Sequence, residues 1–329
     1  MKNCIIATAI IISASVSASS QQKNYSYYKT IQVGDEAGWD YLAVDESHRN
    51  IYFSHGTRVL VASVDKDSIV AEIPHTMGVH GIAFDQELNK GFISNGRSNS
   101  VTIFDLNHFN VLDTVAVTGA NPDAIMYDGF SKKIFAFNGR SNNATVIDPA
   151  SLKVIGTIQL PGKPEFAVTD LKGKVYVNIE DKSELVQIDA TQLKVLKEWT
   201  ISPGEEPSGL AIDRKNNLLF SVCSNKELIV FDILKGKVIT SVPIGDRVDA
   251  VVYDPGTGLI YSSNGEGNVT IVKQVTPEKY QVVQTLITEK GCRTMALDTK
   301  TKKIYLPAAK YEGDTRRILP GSFKILVYK

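Results

Sequence analysis

The chain has 329 residues, with 36 Lys plus Arg against 36 Asp plus Glu, 43 % hydrophobic residues and 24 glycines. That composition belongs to a globular protein and excludes a disordered, collagen-like or coiled-coil chain. Zero net charge argues against a dedicated nucleic-acid binder, and three cysteines are too few for a disulfide framework.

Lys2 is followed by an almost wholly apolar run from Cys4 to Ile12, then by the small residues Val16-Ser17-Ala18. This reads as a secretory signal peptide over 1–18, too short to span a bilayer as a helix. Cleavage after Ala18 leaves a single domain over 19–329. The expected destination is outside the inner membrane, and a bacterial periplasm fits it best. No second hydrophobic segment follows, so no transmembrane segment is expected. The mature chain keeps Cys223 and Cys292, two units apart in the repeat described next, and two free thiols are expected.

From Leu42 onward the sequence repeats. A short β-rich segment ending in Asp recurs at Asp45, Asp85, Asp128, Asp170, Asp213, Asp254 and Asp298, at spacings of 40 to 44 residues. A polar turn follows each Asp, such as ESHRN, GFSKK or PGTG. A second strand then carries an early aromatic: IYFS at 51, IFAF at 134, VYVN at 175, IYSS at 260 and IYLP at 304. The third strand follows a Gly/Asn-rich loop, as in SVTIFD and ATVID. The fourth is rich in Val and Ile, as in VIGTIQL and VITSVPI. Four short antiparallel strands repeated seven times predict an all-β, seven-bladed β-propeller. The repeated Asp suits this plan because its side chain bonds the backbone two residues on and starts the hairpin turn. Pro122, Pro164 and Pro207 stand six residues before their Asp, at a strand's first position, where the missing N–H costs no ladder bond.

The last unit has strands at 294–298, 304–308 and Lys324–Tyr328, and then the chain ends one strand short. Tyr28–Val33 matches the outer strands of the other units. The N-terminal strand is therefore expected to complete the last blade and close the ring. Closure removes exposed edges, and a monomer is expected.

The segments ISNGRSNSVTIFD and FNGRSNNATVID and the terminus PGSFKILVY resemble the YVTN repeat of YncE-like seven-bladed propellers. The resemblance covers nearly the whole mature chain. It implies the same fold and an exported bacterial protein, and single-stranded DNA binding is associated with part of that family.

Strand direction alternates within a blade, so the start of each first strand and the loop after each second strand share one face, here the top. The residue five before each Asp then rings the channel mouth: Asp40, His80, Asp123, Glu165, Ser208, Asp249 and Arg293. The ends of the second strands are expected to form a second ring: His55, Asn95, Asn138, Ile179, Cys223, Asn264 and Ala308. Arg97 and Arg140 follow in matching NGRSN loops. Crowded carboxylates repel and raise each other's pKa unless a cation neutralises them. The expected ligand-binding set is therefore Asp40, His55, His80, Asn95, Arg97, Asp123, Asn138, Arg140, Glu165, Asp249, Asn264 and Arg293. Asp40, His80 and Asp123 are the candidate ligands of a divalent metal ion. His75 lies in an adjacent top loop and is expected to be solvated.

The long segment KYEGDTRRILPGS in the last unit places Arg316 and Arg317 on the top face, as a candidate lid over the acidic mouth. Trp39 is expected to plug a seam between blades. The opposite turns carry Lys132, Lys133, Lys172, Lys174, Arg214, Lys215, Lys300, Lys302 and Lys303, joined by Lys153, Lys194, Lys235 and Lys237. They are the local support for nucleic-acid binding, but stacking aromatics are few there. No nucleophile elbow, phosphate loop or dinucleotide fingerprint is present. The sequence therefore points to a binding or scaffolding propeller whose top mouth meets a small polar ligand or a protein partner. A metal-dependent hydrolase, lactonase or lyase at the same mouth is the alternative, and single-stranded DNA binding a further one.

Overall fold

The computed structural model describes residues 24–313, 315 and 317–329. The expected leader over 1–18 lies outside them. The described chain forms seven four-stranded antiparallel sheets arranged as blades around a channel. A 3₁₀ turn at Glu180–Lys182 is the one helical element among the described residues. Among the described residues no helix is long and apolar enough to cross a membrane.

The inner strands that line the channel are Trp39–Asp45, Val79–Asp85, Pro122–Asp128, Pro164–Thr169, Pro207–Asp213, Val248–Asp254 and the shorter Ala296–Asp298. They define blades 1 to 7. Pro122, Pro164 and Pro207 each open their strand, as expected. In the seventh blade Tyr27–Gln32 takes the outer position beside Lys324–Tyr328, with Thr30 opposite Leu326 and Ile31 opposite Ile325. The N-terminal strand thus closes the ring.

The middle strands of each blade are apolar on both faces because both face a neighbouring blade. Phe135, Phe137 and Val146 of blade 3 pack on Val175, Val177 and Val186 of blade 4. At the closing seam, Phe53 and Leu60 of blade 1 pack on Tyr305, Phe323 and Ile325 of blade 7. The outer strands alternate instead, as in Lys153–Gln159, because one face meets solvent.

Each repeat Asp starts its turn. The amides of Ser47 and His48 donate to Asp45 Oδ1 at 3.0 Å each, and the amide of Lys215 donates to Asp213 Oδ1 at 3.1 Å. Most of these carboxylates also tie two blades together. Gln86 donates to Asp45 at 2.9 Å, Thr169 to Asp128, Gln274 to Asp213 at 3.1 Å and Lys302 to Asp254 at 2.6 Å. Arg49 of blade 1 grips Asp298 of blade 7 with both terminal nitrogens, at 2.8 Å each.

Candidate functional site

The top-mouth residues owe their direction to a repeated irregularity. The register shifts between Trp39 and Leu42, Val79 and Ile82, Pro122 and Ile125, Pro164 and Ala167, Pro207 and Leu210, and Val248 and Ala250. Asp40, His80, Asp123, Glu165, Ser208 and Asp249 lie inside these bulges. A bulge leaves one residue outside the ladder and re-aims its side chain. The second strand captures freed backbone groups. Ser54 Oγ accepts from the amide of Asp40, and Ser94 Oγ from the amide of Gly81, at 2.8 Å each. Ser94 also donates to the carbonyl of Asp123 in the next blade, and Ser263 to that of Arg293 at 2.6 Å.

His80, Asp40 and Asp123 converge. His80 Nδ1 lies 2.6 Å from Asp40 Oδ2 and 3.7 Å from Asp123 Oδ1. One ligand-type atom from each of the three residues lies within 4.8 Å of the others. Asp123 Oδ1 is buried and accepts no hydrogen bond among the described residues. Arg293 pairs with Asp249 and stands 3.7 Å from Asp40, while Lys163 pairs with Glu165 at 2.7 Å and with Glu180.

Burial is the main force on these carboxyls. It pushes Asp123 up to about 6, aided by Asp40 and opposed by His80. It pushes Asp249 up to about 7 against the pull of Arg293, with Asp40 and Asp123 adding to the rise. It pushes Glu165 up to about 8, with Asp123 adding to the rise and Lys163 opposing it. For His80 burial alone would lower the pKa, but Asp40 and Asp123 outweigh it and the net shift is upward. The mouth therefore holds protons near neutral pH that an added cation would release.

The second expected ring does not reach this mouth. Asn95, Asn138, Asn264 and His55 are buried, with exposures of 1 %, 0 %, 0 % and 0 %. The three Asn side chains point between strands of their own blade. Asn138 Nδ2 donates to Asn143 Oδ1 at 2.7 Å and Thr145 Oγ1 at 2.9 Å. Asn95 and Asn264 repeat the pattern with Ser100 and Thr102, and with Asn268 and Thr270. These are strand-to-strand ladders. His55 stacks on Phe323 at 4.1 Å and pairs with Asp35, and burial lowers its pKa. Arg97 and Arg140 are exposed on the top face, and neither ion-pairs with a mouth carboxylate among the described residues.

Arg316 lies outside the described residues. Arg317 turns back onto Glu312 of its own hairpin, at 3.3 Å, and does not cover the carboxylates. The hairpin is fixed by a bridge between Tyr311 and Ile318 and packs Tyr311 near Trp39, ring centroids 6.4 Å apart. Trp39 also packs on Phe323 at 5.3 Å, so it does fill the blade 7–blade 1 seam. His75 is exposed and apart from His80. Cys223 and Cys292 are free and buried, and burial pushes both thiols up to about 12. On the opposite face many cations are spent locally. Lys132 pairs with Glu87, Lys174 with Asp189, and Lys302 with Asp254, while Lys303 is buried against Asp67.

Residues outside the sequence-based set complete the site. Tyr41 and Phe166 reach into the channel from blades 1 and 4 and stack at 5.4 Å with an interplanar angle of 29°. Apolar side chains such as Leu42, Val251, Met295 and Ile82 line the channel beside them. The position after each mouth residue carried the signal: Tyr41, Gly81, Ala124, Phe166, Gly209, Ala250 and Thr294. The small residues are required. A Cβ on Gly81 would lie 3.0 Å from Ile125 Cγ2 and 3.1 Å from the Asp123 carbonyl. The two bulky rings break that pattern and fill the channel axis under the carboxylates.

Among solved structures the fold is similar to a chain of hydrazine synthase from Kuenenia stuttgartiensis, with TM-score 0.72, 16 % identity and coverage of 90 % of this chain and 99 % of that one. It is similar to U3-55K at TM-score 0.74 and 10 % identity, covering 91 % of this chain and 97 % of that one. The WD40 repeats of RRP9 match at TM-score 0.74 and 10 % identity, covering 92 % and 97 %. Identities this low show the fold alone. A search of curated proteins gives no match. A family model described as a domain of unknown function, DUF5074, matches residues 62–284, from the third strand of blade 1 to the outer strand of blade 6. That match spans more than half of the chain, which therefore belongs to the DUF5074 family.

Proposed function

We propose that this protein is a binding propeller whose top mouth captures a cation, with a divalent metal ion held by Asp40, His80 and Asp123. The observation that carries the reading is the convergence of one imidazole and two carboxylates, with a buried Asp123 oxygen left without a hydrogen bond. Two oxygens and one nitrogen suit Mn²⁺ or Zn²⁺, and the oxygen-rich surroundings also suit Ca²⁺. Glu165 and Asp249 add carboxyls beside the site that a bound cation would help to ionise. Arg293 and Lys163 balance part of it, so the mouth needs only a modest further cation.

Calorimetric titration of the metal-free protein with Mn²⁺, Zn²⁺ and Ca²⁺ tests this. One equivalent of at least one ion should bind, with release of protons, and Asp123→Asn and His80→Ala should each weaken binding at least tenfold. No heat and no shift in melting temperature with any of the three ions would sink the reading.

The hydrolase, lactonase or lyase reading builds on the same triad. Glu165 favours it, because a carboxyl that keeps its proton near neutral pH can act as a general acid. Turnover of a lactone panel by the metal-loaded protein, lost in Glu165→Gln, selects the enzyme. Metal loading without turnover selects the binding protein.

The apolar run, the cleavage-type residues at 16–18 and the resemblance to YncE-like propellers support an exported, periplasmic protein. A mature chain beginning at Ser19 by intact mass is the check, and retention of the full chain in the cytoplasm would refute it.

A further inference from the structure

A second concavity opens on the top face between blades 6, 7 and 1, with a volume of about 800 Å³. Among the described residues its charged lining is Arg247, Lys290 and Arg293, with no carboxylate. Trp39 and Tyr311 supply aromatic walls. Its chemistry is thus opposite to that of the neighbouring acidic ring, and Arg293 is the border between them.

The cations are positioned rather than scattered. Arg247 adopts the left-handed conformation, φ 56°, just before its inner strand. Gly78, Asn121 and Glu206 hold the corresponding left-handed positions in blades 2, 3 and 5, and of these four only blade 6 places a cation there. Arg247 Nη2 donates to the carbonyl of Gly265 at 3.1 Å, which anchors the guanidinium and leaves its other N–H groups available. Gly265 lets two arginines flank it: a Cβ there would lie 3.1 Å from Arg247 Cβ and 3.5 Å from Arg293 Cβ. Among the described residues, neither Arg247 nor Lys290 has a carboxylate within ion-pair distance, whereas Lys163 of blade 4 has two. The Tyr311 wall is held by its hairpin, where the amide of Leu319 donates to the carbonyl of Lys310 at 2.8 Å and the amide of Glu312 to that of Arg317 at 2.9 Å.

Three cations in one concavity repel each other, and an anion relieves that repulsion. Guanidinium groups pair in plane with carboxylate or phosphate, and aromatic walls favour a flat partner. A volume of this order matches a small organic ligand. We infer that this cleft is a second binding site, for a planar small molecule carrying two or more carboxylate or phosphate groups. The inference stands independently of cation capture at the acidic ring, because the two sites share only Arg293, which the cleft does not need as its sole charge.

Benzene-1,3,5-tricarboxylate is a suitable probe, with cyclohexane-1,3,5-tricarboxylate as its non-planar control, titrated calorimetrically in the presence of a metal chelator. The planar trianion should bind at least tenfold more tightly than the control, and inorganic phosphate should compete. Arg247→Ala with Lys290→Ala should weaken binding at least tenfold, and Arg247→Lys should restore part of it. Tyr311→Leu should reduce the preference for the planar ring. Lys132→Ala, on the opposite face, should change nothing, and unchanged circular dichroism shows that each variant folds. Equal binding by the wild type and the double variant, or no binding, overturns the inference. Binding that appears only with a divalent ion present overturns the independence of the site. Anion binding measured in chelator reports this cleft alone, so failure of metal capture and failure of this site are read separately.

Discussion

Single residues set the proton balance of the mouth. Asp123, Asp249 and Glu165 are pushed above ordinary carboxyl values, and His80 above an ordinary imidazole, in each case in a partly buried setting. A raised carboxyl pKa means that the folded state binds more protons than the unfolded one. Stability from these groups is then present at low pH and falls as pH rises from about 4 through about 8. His80 acts in the same direction, losing its contribution as pH rises through its raised value. The metal-free protein should therefore melt at a higher temperature at pH 5.5 than at pH 8. Asp123→Asn should flatten that slope, and a bound divalent ion should reverse it by favouring the ionised ring. A melting temperature that rises steadily from pH 5.5 to 8 without metal would contradict this account. Asp298 does the opposite: burial raises it, but Arg49 and the turn outweigh that and hold it down at about 2, so its contribution is lost as pH falls from about 4 through about 2.

At the scale of the strand, the mouth was partly legible from the sequence. Counting five back from each Asp located the mouth residues, because six of the seven repeats carry the same bulge at nearly the same distance from the turn. The second ring was misread because the same counting says nothing about which way a strand end faces. Asn95, Asn138 and Asn264 end a middle strand, where both faces meet protein, and the Nδ2 of each donates to the N-x-T or S-x-T pair across the next strand. Of the expected lid, Arg317 turns away from the mouth for a related reason. An Arg in a hairpin takes the nearest carboxylate, and for Arg317 that is Glu312. Part of the basic face is paired likewise, as Lys132 meets Glu87 and Lys302 meets Asp254 of neighbouring blades.

Over the whole molecule, closure depends on joining residues far apart in the chain. The Arg49–Asp298 pair ties blade 1 to blade 7, with Asp298 fully buried and Arg49 mostly so. Breaking such a pair strands a buried charge and costs about 3–5 kcal/mol. Arg49→Ala should therefore lower the free energy of unfolding by about 3 kcal/mol, measured by denaturant titration. Replacing both partners by Met and Asn should recover part of that loss. A single variant within 0.5 kcal/mol of wild type, roughly the scatter of ordinary surface changes, would show that the seam's apolar packing suffices.

The sequence by itself determined the blade count, the strand order and the pairing of the two chain ends. Those features follow from local chemistry repeated at a constant interval: β-branched strands, an Asp at each turn and Pro at strand starts. Only the tertiary structure decided which polar residues converge at the mouth. It brought His80 between Asp40 and Asp123, filled the channel with Tyr41 and Phe166, and gathered Arg247, Lys290 and Arg293 from two blades. Those outcomes depend on side-chain direction and on neighbours some 40 residues or more away, and a linear repeat records neither.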